Sequence, residues 1–204
     1  MRIPRRHRSM RPLPIAGSDA PVLRAIVIGC GQIAGGYNRG PEDRLVLTHA
    51  LAYRRHAAYK LVACVDPDAR VRSEFAARWT VPAVFASLDE AMAAARYDIA
   101  SVCSPTGTQL DVLERLLETD IRCVFAEKPL DGKPDRARQL AGRYAAKGRA
   151  LAVNYTRRWD PELGNLRDEI ASGKWGAFRS AVGWYSRGVI NNGSHLVDLI
   201  SLLT

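Results

Sequence analysis

No run of apolar residues in this chain approaches the ~18 needed to cross a bilayer as a helix. The N-terminal stretch has arginines but no apolar core of a secretory signal, and Pro4, Pro12 and Pro14 would interrupt the amphipathic helix of a transit peptide. Cysteine is sparse. Cys30, Cys64, Cys103 and Cys123 sit in or beside apolar strand-like runs, and none has the spacing of a metal site. They read as small buried hydrophobes of a reducing cytoplasm, with neither a disulfide nor a metal expected. Internal repeats and low-complexity segments are also absent.

Acidic residues are scarce at one end only. Arg2, Arg5, Arg6, Arg8, Arg11 and Arg24 face Asp19 alone, so residues 1–24 carry +5 of the net charge of +9. Without a nucleic-acid motif beside it, this charge reads as a basic, disordered leader over residues 1–23, or an overlong start with Met10 as a second beginning. Neither a nucleic acid nor a membrane is expected as a partner.

What the chain does have is a short β-branched run at 25–28 that ends in Gly29-Cys30-Gly31-Gln32-Ile33-Ala34. A buried strand followed by G-x-G-x-x-A is the pattern of a dinucleotide-binding turn. The first glycine allows the tight turn, and the second lets the backbone approach a pyrophosphate. A small third residue, here Ala34, lets the next helix pack close. The backbone N–H groups at the start of that helix would face the phosphates.

Short apolar runs at 60–66, 83–85, 98–103, 121–126 and 150–154 then alternate with helical patterns at 47–56, 68–79, 88–96, 108–118 and 134–147. Such alternation predicts an α/β fold with a Rossmann-type, doubly wound parallel sheet. Asp66 closes the second strand, where this architecture places the acid that holds the adenosine ribose. It lies farther from the glycines than the usual ~20 residues, so the polar segment 37–44 reads as an insertion. The competing role for Asp66 is to cap the helix that follows. Ser87-Leu88-Asp89-Glu90 is a capping box.

The pattern changes near Tyr155, placing a boundary between a cofactor domain at 24–155 and an α+β segment at 156–204. That segment reads as a helix to about Ser172, a half-exposed strand at 178–185 and a last apolar helix from Ser194.

The glycine turn, Asp66, Cys103-Ser104-Pro105-Thr106, Glu127-Lys128-Pro129 and Gly193-Ser194-His195-Leu196-Val197-Asp198 occur in one order. In that order the chain resembles the Gfo/Idh/MocA family of NAD(P)-dependent oxidoreductases over about 25–203. The resemblance implies Lys128 as the catalytic lysine beside the nicotinamide and His195 as general acid–base on a sugar hydroxyl. Asn191 stands where many members carry an acid, and Gln109 where a histidine is common. The implied cofactor site comprises Gly29, Gly31, Gln32, Ile33, Ala34, Asp66, Ser104, Pro105, Thr106, Glu127 and Lys128. Glu127 would support the ribose or orient the lysine, and Pro129 would hold the turn, often through a cis bond. NAD is expected over NADP, because a carboxylate at Asp66 would repel a 2′-phosphate; Arg70 and Arg72 temper that preference.

The implied reaction is hydride transfer between the cofactor and a hydroxyl-bearing carbon of a sugar or nucleotide-sugar. The alternative is a non-catalytic NAD-binding fragment or partner subunit. Members continue into a large open sheet, so the resemblance further implies a truncated C-terminal domain, doubtful activity for the short chain, and homo-oligomers formed through the C-terminal region.

Overall fold

The computed structural model describes residues 21–132 and 134–204. Residues 1–20 of the basic leader therefore lie outside the described residues. Six strands form one parallel sheet: β1 (Leu23–Ile28), β2 (Tyr59–Val65), β3 (Ala83–Phe85), β4 (Ile99–Val102), β5 (Cys123–Ala126) and β6 (Ala150–Val153), in the order β3-β2-β1-β4-β5-β6. Helices α1 (His49–Arg55), α2 (Ala69–Trp79), α3 (Leu88–Ala94), α4 (Thr106–Leu117) and α5 (Pro134–Ala146) connect them, and α6 (Pro161–Ala171) and α7 (Ser194–Leu203) follow the sheet. This is the expected doubly wound arrangement, with the strand order reversing between β1 and β4.

Both faces of the sheet are covered because alternate strand residues point opposite ways. Ile26 and Ile28 of β1 join a core with Leu113 and Leu117 of α4 and Leu140 and Tyr144 of α5. Ala25 and Val27 join the other, with Leu51 and Tyr53 of α1 and Phe75 and Trp79 of α2. β1 is thus buried on both sides, and the ends of β1 and β4 open the crevice in which such sheets bind ligands. All four cysteines are free; Cys123 is half-buried and the others are buried. No helix among the described residues is long and apolar enough to cross a membrane.

The capping box at Ser87 forms with one change. Ser87 Oγ accepts the Glu90 N–H, but the Glu90 carboxylate reaches back to the Ala86 N–H.

Two expectations are corrected. The helix expected to open at the glycine turn is a single π turn, Gln32–Gly36, followed by irregular chain until Thr48 caps α1. The insertion is knotted by Asn38, which is almost fully buried. Its amide donates to Asp43 Oδ2 and to the Leu45 carbonyl, and its Oδ1 accepts from the Leu47 N–H and the Thr48 hydroxyl. The second correction concerns 178–185, which forms no strand. A strand exists by pairing, and no described strand lies beside this segment; Trp184 is 92% exposed.

Candidate active site

The site begins where β1 runs into the glycine turn. Gly29 has φ +86°, and a Cβ there would fall 2.7 Å from the backbone of Cys103 and Ser104. Gly31 is different: nothing lies within 4 Å of a Cβ added to it, so the space over the turn is open. Sequence reasoning gave the close-packing role to Ala34. Ala34 is fully buried, and at Gly35 beside it a Cβ would meet Trp79 Nε1 at 2.2 Å and the Phe75 ring at 2.7 Å. Ile33 is half-buried and packs against the same core.

Asp66 leaves β2 and turns back on the glycine turn. Its Oδ2 accepts the Cys30 N–H at 2.8 Å, and its Oδ1 accepts the Asp68 N–H at 2.9 Å. The cap of α2 is Asp68, which accepts from the N–H groups of Arg70 and Val71. The capping alternative for Asp66 therefore falls to its neighbour. Arg72 donates to the carbonyls of Asp66 and Pro67, while Arg70 is paired with Glu74.

Across the crevice, the Cys103 N–H continues the ladder to the Ile28 carbonyl, and Pro105 precedes α4. Ser104 Oγ and Gln109 Oε1 are buried without a hydrogen-bond partner, although Gln109 Nε2 holds the Ser104 carbonyl at 3.1 Å. Open space over one glycine, with orphaned polar atoms on the facing turn, fits residues shaped around a bound dinucleotide.

The Glu127–Lys128–Pro129 turn follows β5, and the Lys128–Pro129 bond is cis. Lys128 Nζ donates to Asn191 Oδ1 at 2.8 Å, bridging 63 residues of sequence. Both line a cleft of about 490 Å³ with Thr106, Pro129, Arg187 and Ile190. The π turn Gly188–Gly193 carries Asn191 into α7, where the first turn holds His195.

Two contacts anchor α7: Arg158 pairs with Asp198 at 2.7 Å, and Tyr155 meets His195 edge to face at 5.6 Å. Burial pushes the His195 imidazole below the usual histidine range, and the Lys128 and Arg157 cations push it further. The structure thus brings Lys128, Asn191 and Thr106 to one cleft and places His195 within reach of Lys128's charge.

Of the two roles expected for Glu127, supporting the ribose or orienting the lysine, its contacts bear on the second. Its carboxylate is directed to His49 Nε2 at 2.9 Å and Asn154 Nδ2 at 2.7 Å. Burial pushes that carboxyl up, but these two hydrogen bonds outweigh it and hold Glu127 below the ordinary glutamate value. Sequence reasoning missed His49, Ser101, Tyr53 and Asn154. A serine inside the otherwise apolar run 99–103 was the available signal, since a buried hydroxyl demands a partner.

The family model described as "Oxidoreductase family, NAD-binding Rossmann fold" matches residues 23–155. The chain belongs to the Gfo/Idh/MocA oxidoreductase family. Its nucleotide domain is accordingly an NAD-binding Rossmann domain.

Inositol 2-dehydrogenase of Rhizobium meliloti (strain 1021) is 29% identical over 133 residues, which are 65% of this chain and 39% of that protein. D-glucoside 3-dehydrogenase of Escherichia coli (strain K12) is 27% identical over 154 residues, 76% of this chain and 40% of that one. Among solved structures, the WlbA dehydrogenase of Chromobacterium violaceum, in complex with NADH and UDP-GlcNAcA, superposes with a TM-score of 0.73. The identity is 21%, and the match covers 91% of this chain and 56% of that one; at that identity it shows a shared fold. The chain spans about two fifths of the length of both dehydrogenases.

Proposed function

We propose that this protein is an NAD-dependent oxidoreductase moving a hydride between the nicotinamide and a hydroxyl-bearing carbon of a sugar or nucleotide-sugar. Residues 24–155 form the cofactor domain, and 156–204 begin the substrate domain. The observation that carries the reading is the Lys128–Asn191 hydrogen bond, which joins the end of β5 to the turn before α7 across one cleft.

The open space at Gly31 would take the pyrophosphate, supported by the N–H groups of Gln32, Ile33 and Ala34. Asp66 would hold the adenosine ribose, and Ser104, Pro105 and Thr106 would flank the nicotinamide end. The Asp66 carboxylate disfavours a 2′-phosphate, and Arg72 is committed to backbone carbonyls, so NAD is preferred over NADP.

When bound, the cofactor supplies an acceptor for hydride. The chain's own residues supply the proton chemistry. His195, held below the usual histidine range, is neutral at pH 7 and can take the hydroxyl proton. Lys128 Nζ places a cation where the alkoxide develops, and Asn191 Oδ1 aims it.

Two measurements test the reading. Nicotinamide fluorescence titration should show saturable NADH binding that Gly31→Val weakens strongly. Turnover is followed as NADH formation from inositols, glucosides and UDP-sugars, with the chain alone and joined to the remainder of a family member. Lys128→Ala and His195→Ala should each lower it by about a hundredfold or more. Turnover that survives both substitutions would refute these roles.

A further inference from the structure

Behind the Lys128 turn, outside the cleft, lies a chain of buried polar side chains. Tyr53 Oη and Ser101 Oγ are 2.8 Å apart, Ser101 Oγ and His49 Nδ1 2.9 Å, and His49 Nε2 and Glu127 Oε1 2.9 Å. Asn154 Nδ2 meets the same Glu127 oxygen at 2.7 Å. His49 is 5% exposed and Glu127 8%, so water does not substitute for these partners. The chain ties α1, β4 and the ends of β5 and β6 to one carboxylate.

Its hydrogens have one fully satisfied arrangement. An ionised carboxylate only accepts, so His49 Nε2 must donate to Glu127. The Tyr53 hydroxyl hydrogen-bonds only Ser101 among the described residues, so it donates there. Ser101 is then left to donate to His49 Nδ1, and the imidazole is neutral with its proton on Nε2. An imidazolium would bring three hydrogens to the two contacts at Ser101 Oγ and leave one, that of Ser101 or of Tyr53, without an acceptor in a buried site, which is costly.

We propose that His49 is a positioning residue for the nicotinamide end of the site. Locked as its Nε2–H tautomer by Ser101 and Tyr53, it fixes the Glu127 carboxylate and, through it, the backbone that presents Lys128. The proposal rests on reading Lys128 as a group beside the cofactor. Glutamine at position 49 reproduces the pattern, since its amide N–H can donate to Glu127 and its carbonyl can accept from Ser101. Leucine reproduces only the volume.

The test uses the full chain. Nitrogen-15 NMR of the His49 ring at pH 7 should show the neutral Nε2–H tautomer. His49→Gln should bind NADH within about threefold of wild type, and His49→Leu should be weaker by about tenfold, because the turn that presents Lys128 then holds its binding geometry only about a tenth of the time. A merely structural histidine would lower the melting temperature of both variants and leave the dissociation constant of the folded protein unmoved.

An imidazolium or an Nδ1–H ring would overturn the proposal. So would wild-type NADH binding by His49→Leu, or binding by His49→Gln as weak as that of His49→Leu. If His49→Leu does not fold, Ser101→Ala replaces it: the expected result is loss of the single tautomer together with weaker NADH binding, and no change in either overturns the proposal. Gly31→Val serves as the reference. If it binds NADH as wild type does, the cofactor reading fails, while the ring tautomer still decides the lock.

Discussion

Gly29 and Gly31 are two residues apart in one motif, yet the structure assigns them different work, and alanine at each should separate the two. Gly29 sits at φ +86°, where an L side chain costs about 1–2 kcal/mol. Its methyl would also fall 2.7 Å from the Cys103 carbonyl carbon and the Ser104 nitrogen. Those are backbone atoms held in register by the Cys103 N–H bond to Ile28, so they cannot turn aside. Overpacking of this kind costs about 1–3 kcal/mol. Gly29→Ala should therefore lose about 2–5 kcal/mol, a large share of the ~5–15 kcal/mol that domains possess.

Gly31 has φ −75° and ψ −160°, extended backbone open to any residue, and empty space at its Cβ position. Gly31→Ala should unfold in urea within about 0.5 kcal/mol of wild type, as surface substitutions do. Its methyl would instead meet the pyrophosphate and weaken NADH binding by about tenfold, while Gly31→Val, with a branched side chain, should weaken it further. Urea unfolding followed by far-UV circular dichroism, paired with fluorescence titration, measures both quantities. Equal destabilisation by the two alanine variants would refute the division of labour, and so would wild-type affinity in both Gly31 variants.

Other expectations follow from the same geometry. Gly35→Ala should lose about 1–3 kcal/mol by displacing the Trp79 and Phe75 rings, visible as a changed tryptophan emission in the folded state. Asp66→Ser combined with Pro67→Arg should raise the ratio of NADP to NAD affinity, and an unchanged ratio would mean that Asp66 serves only the Cys30 and Asp68 N–H groups. His195 is depressed when folded, so between its folded value and the ordinary 6.5 the unfolded chain binds more protons, and stability falls as pH is lowered through that window. His195→Gln should flatten the fall in melting temperature there; identical pH profiles would contradict the burial that depresses it.

The strand–glycine–helix grammar was legible from sequence because it is local. β-branched runs, a G-x-G-x-x-A turn and an acid at a strand end each act within a few residues, and they set the parallel sheet and the crevice. The E-K-P and G-S-H-L-V-D segments were also legible as types of residue in order. What sequence could not show was which atoms meet. Gly35 has no room for a side chain because Trp79 arrives from 44 residues away. The 178–185 alternation is strand-like in pattern but acquires no partner, since pairing is a property of the fold and not of the segment. Glu127 meets His49 and Asn154, partners no motif names, because the sheet order places α1 and β6 around the end of β5. Local chemistry chose the elements of this protein; burial, which leaves every enclosed polar atom in need of a partner, decided where its charged side chains point.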